Sequence, residues 1–378
     1  MERRAECPRL GMIVPTSNTC VEPVTYRLLG GTHDVSVHFA RVDIAHPDFS
    51  SPSGGQGMTS AARQLADAEV DAVIWNGSSG SWLGIERDRD LCENLSRICN
   101  APATSSTLAL LESCRVYGVS KLGLATPYTA EVNAKIAREY AGCGVDVVAE
   151  SHLGITDNAE YARVPEEVVA EGVRAVAPNA HAATILCTNL NGAFLAPGLE
   201  RELGIPVFDS VAVTLWHALR LVAPTSIGGF GTLLRDGALF ALLQDLCDSL
   251  RSEVGADRIV LQLDLPELGL WARFPTVESV RPGMRSLHEG SAVDSDRTRA
   301  GSVPGWSLRN FVPGATAQLF ESIKVDGSLI GLMSVQSVSE HSWTMSDQAA
   351  KDATRRAAGE VASILGRCSP VPAVGAPL

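Results

Sequence analysis

Much that marks familiar protein classes is missing from these 378 residues. No apolar run approaches the ~18 residues that a membrane-spanning helix needs, so no membrane contact is expected. The stretch MERRAECPRLGMIVP has no long apolar core and does not read as a signal peptide. C-x-x-C pairs are absent, and the nine cysteines are scattered and odd in number. That pattern argues against a zinc ribbon or a disulfide framework and for reduced thiols in the cytoplasm. The eight histidines show no H-x-x-x-H spacing, and no glycine-rich phosphate loop appears. Neither a metal nor any other cofactor is expected. A basic stripe is lacking too. The net charge of −12 argues against nucleic acid and for a small-molecule ligand.

What is present reads as a soluble globular enzyme. Hydrophobic residues make up 45% and charged residues 20%, an ordinary balance. The length suggests two domains. From Leu10 to Val222, short apolar runs alternate with amphipathic stretches. GMIVP, AVIWNG, KLGLATP, DVVAE, ATILCTN and IPVFDS read as buried parallel strands. TSAARQLADAEV and YTAEVNAKIAREYAGCG read as helices, the second stopped by Gly142 and Gly144. The alternation predicts an α/β domain.

A repeat runs through this region. LGMIVPTSN at Leu10 resembles LGLATPYTA at Leu122, and VIWNGSSG resembles ATILCTNL. Pro15 then matches Pro127, and Gly77 matches Cys187. The expected architecture is two pseudo-symmetric, doubly wound halves, about 10–115 and 116–222, within a domain spanning 1–237. Ligands in such sheets bind beyond the carboxyl ends of the strands, so one cleft should lie between the halves. Beyond residue 238 the rhythm changes to helix, antiparallel strands and a closing helix. LFALLQDLCDSLRSEV reads as a helix, and ADRIVLQLDL and LGLWARFP as strands. A hairpin is expected around Asp326-Gly327, and a helix capped by Ser346 follows it. This α+β domain should cover 238–368, with a disordered tail at 369–378.

GMIVPTSNTCVEP, WNGSSGSWLG, LATPYTAEVN, LGITDNAEYARV and LCTNL occur in this order. Together they resemble the aspartate/glutamate racemase superfamily, nearest its maleate cis–trans isomerase and arylmalonate decarboxylase branches. The C-terminal part is similar to a GAF domain, on its strand pattern, the VDGSLIGLMSVQS hairpin and the final helix. The resemblance implies two facing cysteines, one per half. Here Cys187 supplies the second, and Gly77 stands where the first belongs. Cysteine suits proton transfer at carbon because its pKa, about 8.5 when free, is easily tuned. Glycine at that place is the arylmalonate decarboxylase pattern.

The resemblance then implies a cofactor-independent decarboxylase of a malonate-type acid, with Cys187 protonating an enediolate. Ser78, Ser79 and Tyr128 would hold one carboxylate, Thr188 and Asn189 would donate beside Cys187, and Pro15 belongs to the same motif set. Asn18 and Asn158 instead match carboxylate-binding asparagines of the isomerase, so a more polar acid is expected. Plainer readings stand beside these. Cys187 could be an inert buried thiol, Gly77 a turn residue, and the two serines helix caps. Tyr128 could merely pack, and Asn18 and Asn158 could merely shape turns. Cys20 could be a displaced second thiol, and His217 a helix-surface or core residue. A cis–trans isomerase or racemase is the alternative activity. A carboxylate-binding sensor with a regulatory GAF domain is the alternative class. The expected partners are a small carboxylic acid, a small ligand of the GAF-like part, and further copies of the chain in a homo-oligomer.

Overall fold

The computed structural model of the chain describes residues 7–30, 35–43, 55–222, 230–263, 277–281, 317–325, 328–337 and 348–367. The chain divides into two compact units after Ala238.

The first half of the first unit runs β1 (Arg9–Pro15), α1 (Val21–Leu29), β2 (Ser36–Val42), α2 (Gly55–Asp67), β3 (Ala72–Trp75), α3 (Gly80–Leu83), α4 (Ile85–Cys99), β4 (Ala103–Ser105) and α5 (Ser106–Val116). The second half runs β5 (Lys121–Thr126), α6 (Ala130–Gly142), β6 (Asp146–His152), α7 (Asn158–Tyr161), α8 (Glu166–Val176), β7 (Ala182–Ile185), α9 (Ala196–Leu203), β8 (Val207–Asp209) and α10 (Ser210–Val222). Each half holds one four-stranded parallel sheet, ordered β2-β1-β3-β4 and β6-β5-β7-β8. The strand order is therefore the same in both halves.

Burial explains why the inner strands read as unbroken apolar runs. Strands β3 and β7 are buried along their whole length, and β1 and β5 at every residue but the first. Helices cover both faces of such a sheet. The edge strand β6 alternates between exposed and half-buried positions instead. Gly123 in β5 is needed for close packing. A Cβ there would run into the backbone carbonyl of Val176, where α8 ends.

Helices α5 and α10, one from each half, are pinned together. Thr214 Oγ1 donates to Ser106 Oγ at 2.8 Å, and Thr104 Oγ1 lies 2.9 Å from His217 Nδ1. Burial pushes His217 down to about 4, so its ring is neutral near pH 7. Arg220 and Glu112 form an ion pair beside them. These contacts fix the two sheets relative to each other.

The second unit contains most of α11 (Thr232–Val254), then β9 (Arg258–Leu263), β10 (Val277–Val280), β11 (Ala317–Val325), β12 (Ser328–Ser337) and α12 (Gln348–Arg367). Its sheet is antiparallel, ordered β10-β9-β12-β11, with Val325 opposite Ser328. The expected turn residues Asp326 and Gly327, the Ser346 cap, the LGLWARFP strand and the tail lie outside the described residues. No helix among the described residues is long and apolar enough to cross a membrane.

Candidate active site

Two inner strands deliver their ends to one place. Strand β3 stops at Trp75, and Gly77 follows two residues on; β7 stops at Ile185, and Cys187 follows two residues on. A cavity of about 120 Å³ lies at these carboxyl ends. Its lining includes Gly77 and Cys187, then Pro15, Asn18, Ser78, Ser79, Tyr128, Asn158, Thr188 and Asn189. Every site residue expected from the sequence is therefore brought together. The bonds these residues make are more specific than the expectation.

Asn18 is largely committed to structure. Its Oδ1 accepts the backbone N–H groups of Cys20 and Val21, at 2.9 and 3.0 Å, which starts α1. Its Nδ2 donates across the cleft to Thr188 Oγ1 at 3.1 Å, and Thr188 Oγ1 donates on to the Asn76 carbonyl at 3.2 Å. Asn189 makes a second bridge. Its Oδ1 accepts from Thr19 N at 2.9 Å, and its Nδ2 donates to the Asn158 carbonyl at 2.7 Å. Asn158 opens α7, where Asp157 caps Ala159 N.

Ser79 occupies the N-cap position of α3 but makes no side-chain cap bond. Ser78 Oγ lies 2.9 Å from the Tyr128 hydroxyl, which also interacts with the Cys187 side chain. A continuous line of polar groups therefore crosses the cavity from one half to the other. Cys187 is 3% exposed, and its sulfur accepts Asn189 N–H at 3.4 Å. Burial pushes its pKa up to about 12, against the opposing pull of the Tyr128 hydroxyl and that N–H. The thiol is protonated throughout the neutral range. Burial also raises Tyr128, which stays a neutral phenol.

Cys20 is buried at the N-cap position of α1 and does not line the cavity. Burial raises it to about 11. Asp209, which ends β8, caps α10 by accepting Val211 N and Ala212 N at 2.9 and 3.0 Å. Burial lifts its carboxyl to about 7.

The sequence reading missed the aromatic part of the wall. Trp75, Trp82 and Tyr161 line the cavity beside Tyr128. The Trp82 and Tyr128 rings lie 4.8 Å apart, and those of Tyr128 and Tyr161 5.6 Å. Aromatic residues are only 5% of this chain, so four in one small cavity are a concentration. Spacing offered a signal: Trp82 lies three residues beyond Ser79, Tyr161 three beyond Asn158, and Trp75 two before Gly77. No Lys, Arg, His, Asp or Glu lines the cavity among the described residues. An anion there meets hydroxyls, amides and aromatic rings, without a cationic side chain.

The sequence profile of the arylmalonate decarboxylase family matches residues 10–234, more than half of the chain. The chain belongs to that family. Arylmalonate decarboxylase from Bordetella bronchiseptica is 27% identical over 238 residues, which cover 58% of this chain and 92% of the relative. Maleate isomerase from Nocardia farcinica is 27% identical over 251 residues, covering 62% and 98%. The structure of the maleate isomerase Iso from Pseudomonas putida S16 has the same fold. Its TM-score is 0.57 at 23% identity, over 62% of this chain and 100% of that one. Relatives of this arylmalonate decarboxylase family member thus include a decarboxylase and isomerases. The family match lies within the first unit and does not reach the second.

Proposed function

We propose that the first unit is a cofactor-independent decarboxylase of a substituted malonate-type acid, with Cys187 as the proton donor. The observation that carries this reading is the pairing of Cys187 with Gly77, at matching strand ends of one cavity that no charged side chain lines among the described residues. Decarboxylation breaks the bond between the central carbon and one carboxyl carbon. The bonding electrons stay behind, carbon dioxide leaves, and the remaining carboxylate becomes an enediolate. The Cys187 S–H then forms the new C–H bond, and the thiolate takes a proton from solvent to reset.

The lining suits both stages. A carboxylate held against aromatic rings, without a cation, is poorly solvated and gains by leaving as neutral carbon dioxide. The oxygens that remain need donors, and the Ser78–Tyr128 hydroxyl pair and the segment around Thr188 and Asn189 supply them. One preorganised donor of this kind contributes about 3–4 kcal/mol to the transition state. A thiol near 12 is a far stronger acid than the α-carbon of a carboxylate, so protonating the enediolate runs downhill.

The test mixes the full chain with mono- and disubstituted malonic acids and, separately, with maleate. Carbon dioxide release with a chiral monoacid product is the expected result. Fumarate from maleate, with no carbon loss, would favour the isomerase and overturn the decarboxylase assignment. Tight carboxylate binding without turnover of either compound would favour the sensor reading. The second unit is kept in the proposal as GAF-like. What supports that is its element order, a helix, an antiparallel sheet and a closing helix.

A further inference from the structure

The two facing strand ends differ by more than one side chain. Trp75 ends β3, and Gly77 lies two residues beyond it. A Cβ built on Gly77 would fall within the Trp75 indole. Its Nε1 would be 2.6 Å away, with Cε2 and Cζ2 closer still. Real Cβ atoms do not approach so near. The indole has little freedom to yield, because Trp75 is 1% exposed and belongs to a core cluster with Ile13, Met58, Leu91 and Leu95. Moving it aside would open a void there. At the matching positions of the other half, Ile185 ends β7, and two residues on Cys187 lines the cavity with its full side chain. The matching positions therefore differ in kind: a large ring and no Cβ in one half, a smaller branched residue and a thiol in the other.

We propose that Trp75 is a specificity-determining residue that locks the site into single-thiol chemistry. Its ring occupies the volume that any side chain at position 77 requires. It places an aromatic surface on the cavity wall where a second nucleophile or proton donor would stand. The lock rests on reading Gly77 and Cys187 as the two reacting positions, and it adds the residue that keeps them unequal. Position 77 alone does not set the chemistry: changing it requires changing Trp75 with it.

A four-way comparison of the full chain tests this: unaltered protein, Gly77→Cys, Trp75→Val, and both together, with Gly77→Ala as the smallest steric probe. Thermal unfolding is the first readout. Gly77→Cys and Gly77→Ala should each lower Tm by about 5 °C or more, through overpacking. The double variant should lose much less than the sum of its single changes. If Gly77→Cys yields no soluble protein, recovery of soluble protein in the double variant reads the same coupling. The second readout is α-hydrogen exchange of a chiral monocarboxylic acid in deuterium oxide. There a thiolate takes the proton from one face while a thiol donates on the other, with no net bond change. The double variant should exchange at least tenfold faster than Gly77→Cys alone. Additive changes in Tm, or equal exchange in those two variants, zero included, overturn the inference. Decarboxylation by the unaltered protein is measured separately. Its absence removes the proposed function, while the Tm comparison still judges the steric lock.

Discussion

The Tyr128 hydroxyl lies 2.9 Å from Ser78 Oγ, with the two residues coming from opposite halves of the first unit. The same hydroxyl also interacts with the Cys187 side chain, so one phenol links Ser78 to the proposed proton donor. Tyr128→Phe keeps the ring packed against Trp82 and removes only the hydroxyl. We expect kcat to fall about 100-fold, as for loss of one preorganised donor. Ser78→Ala should cost less, because the Tyr128 hydroxyl stays beside Cys187. Steady-state carbon dioxide release checks both. A Tyr128→Phe variant with unchanged kcat would remove the hydroxyl from the mechanism.

Asn18 illustrates a residue doing structural work inside a site. Asn18→Ala loses the bonds that start α1 and the bridge to Thr188. A loss of about 2 kcal/mol in unfolding free energy is expected. Asn18→Asp keeps the accepting oxygen and loses only the donor, so about half of that loss should return. Denaturant unfolding of the three proteins decides. Equal stability in all three would show that these bonds contribute nothing.

The Cys187 thiol, pushed up to about 12 by burial, should resist alkylation. The thiolate is the reactive form, and at pH 8 about 1 part in 10⁴ would be ionised. Labelling by iodoacetamide, followed by mass spectrometry, should be at least about 100-fold slower than for a free cysteine peptide. The rate should climb about tenfold per pH unit between pH 8 and 10. Rapid labelling at pH 7 would contradict a protonated resting thiol.

Asp209 ties stability to pH. Its folded pKa is raised to about 7, above the unfolded value of about 3.9. Its contribution is therefore fully present below pH 3.9 and is lost as pH rises through about 7. Asp88, raised by burial to about 6, acts in the same direction. Tm should fall between pH 4 and 8. Asp209→Asn can still accept the bonds that cap α10, and it should recover about 2–4 kcal/mol at pH 8 with little effect at pH 4. A change in Tm equal at both pH values would show that folding does not raise the pKa of this carboxyl.

The sequence carried the α/β fold because parallel strands buried on both faces leave unbroken apolar runs, as β3 and β7 do. It carried the duplicated plan because LGMIVP and LGLATP both end at a proline, followed by a loop into the site. Motif order singled out ten candidate site residues, and the structure gathers them around one cavity. Their hydrogen bonds were not legible. The bridge from Asn18 to Thr188 spans 170 positions, and no local spacing announces it. In the sequence Trp75 is one residue of an apolar run, and a tryptophan there satisfies the buried pattern either way. Only the close approach of its ring to Gly77 reveals why glycine stands at that position.

Product analysis in deuterium oxide, comparing the unaltered chain with Cys187→Ala on a prochiral disubstituted malonate, tests the account most directly. We predict one enantiomer of the α-deuterated monoacid from the unaltered chain. In the variant, we predict a fall in kcat of about 10²–10⁴-fold with loss of enantiomeric excess. Equal rates and equal enantiomeric excess from both proteins would show that Cys187 does not deliver the proton.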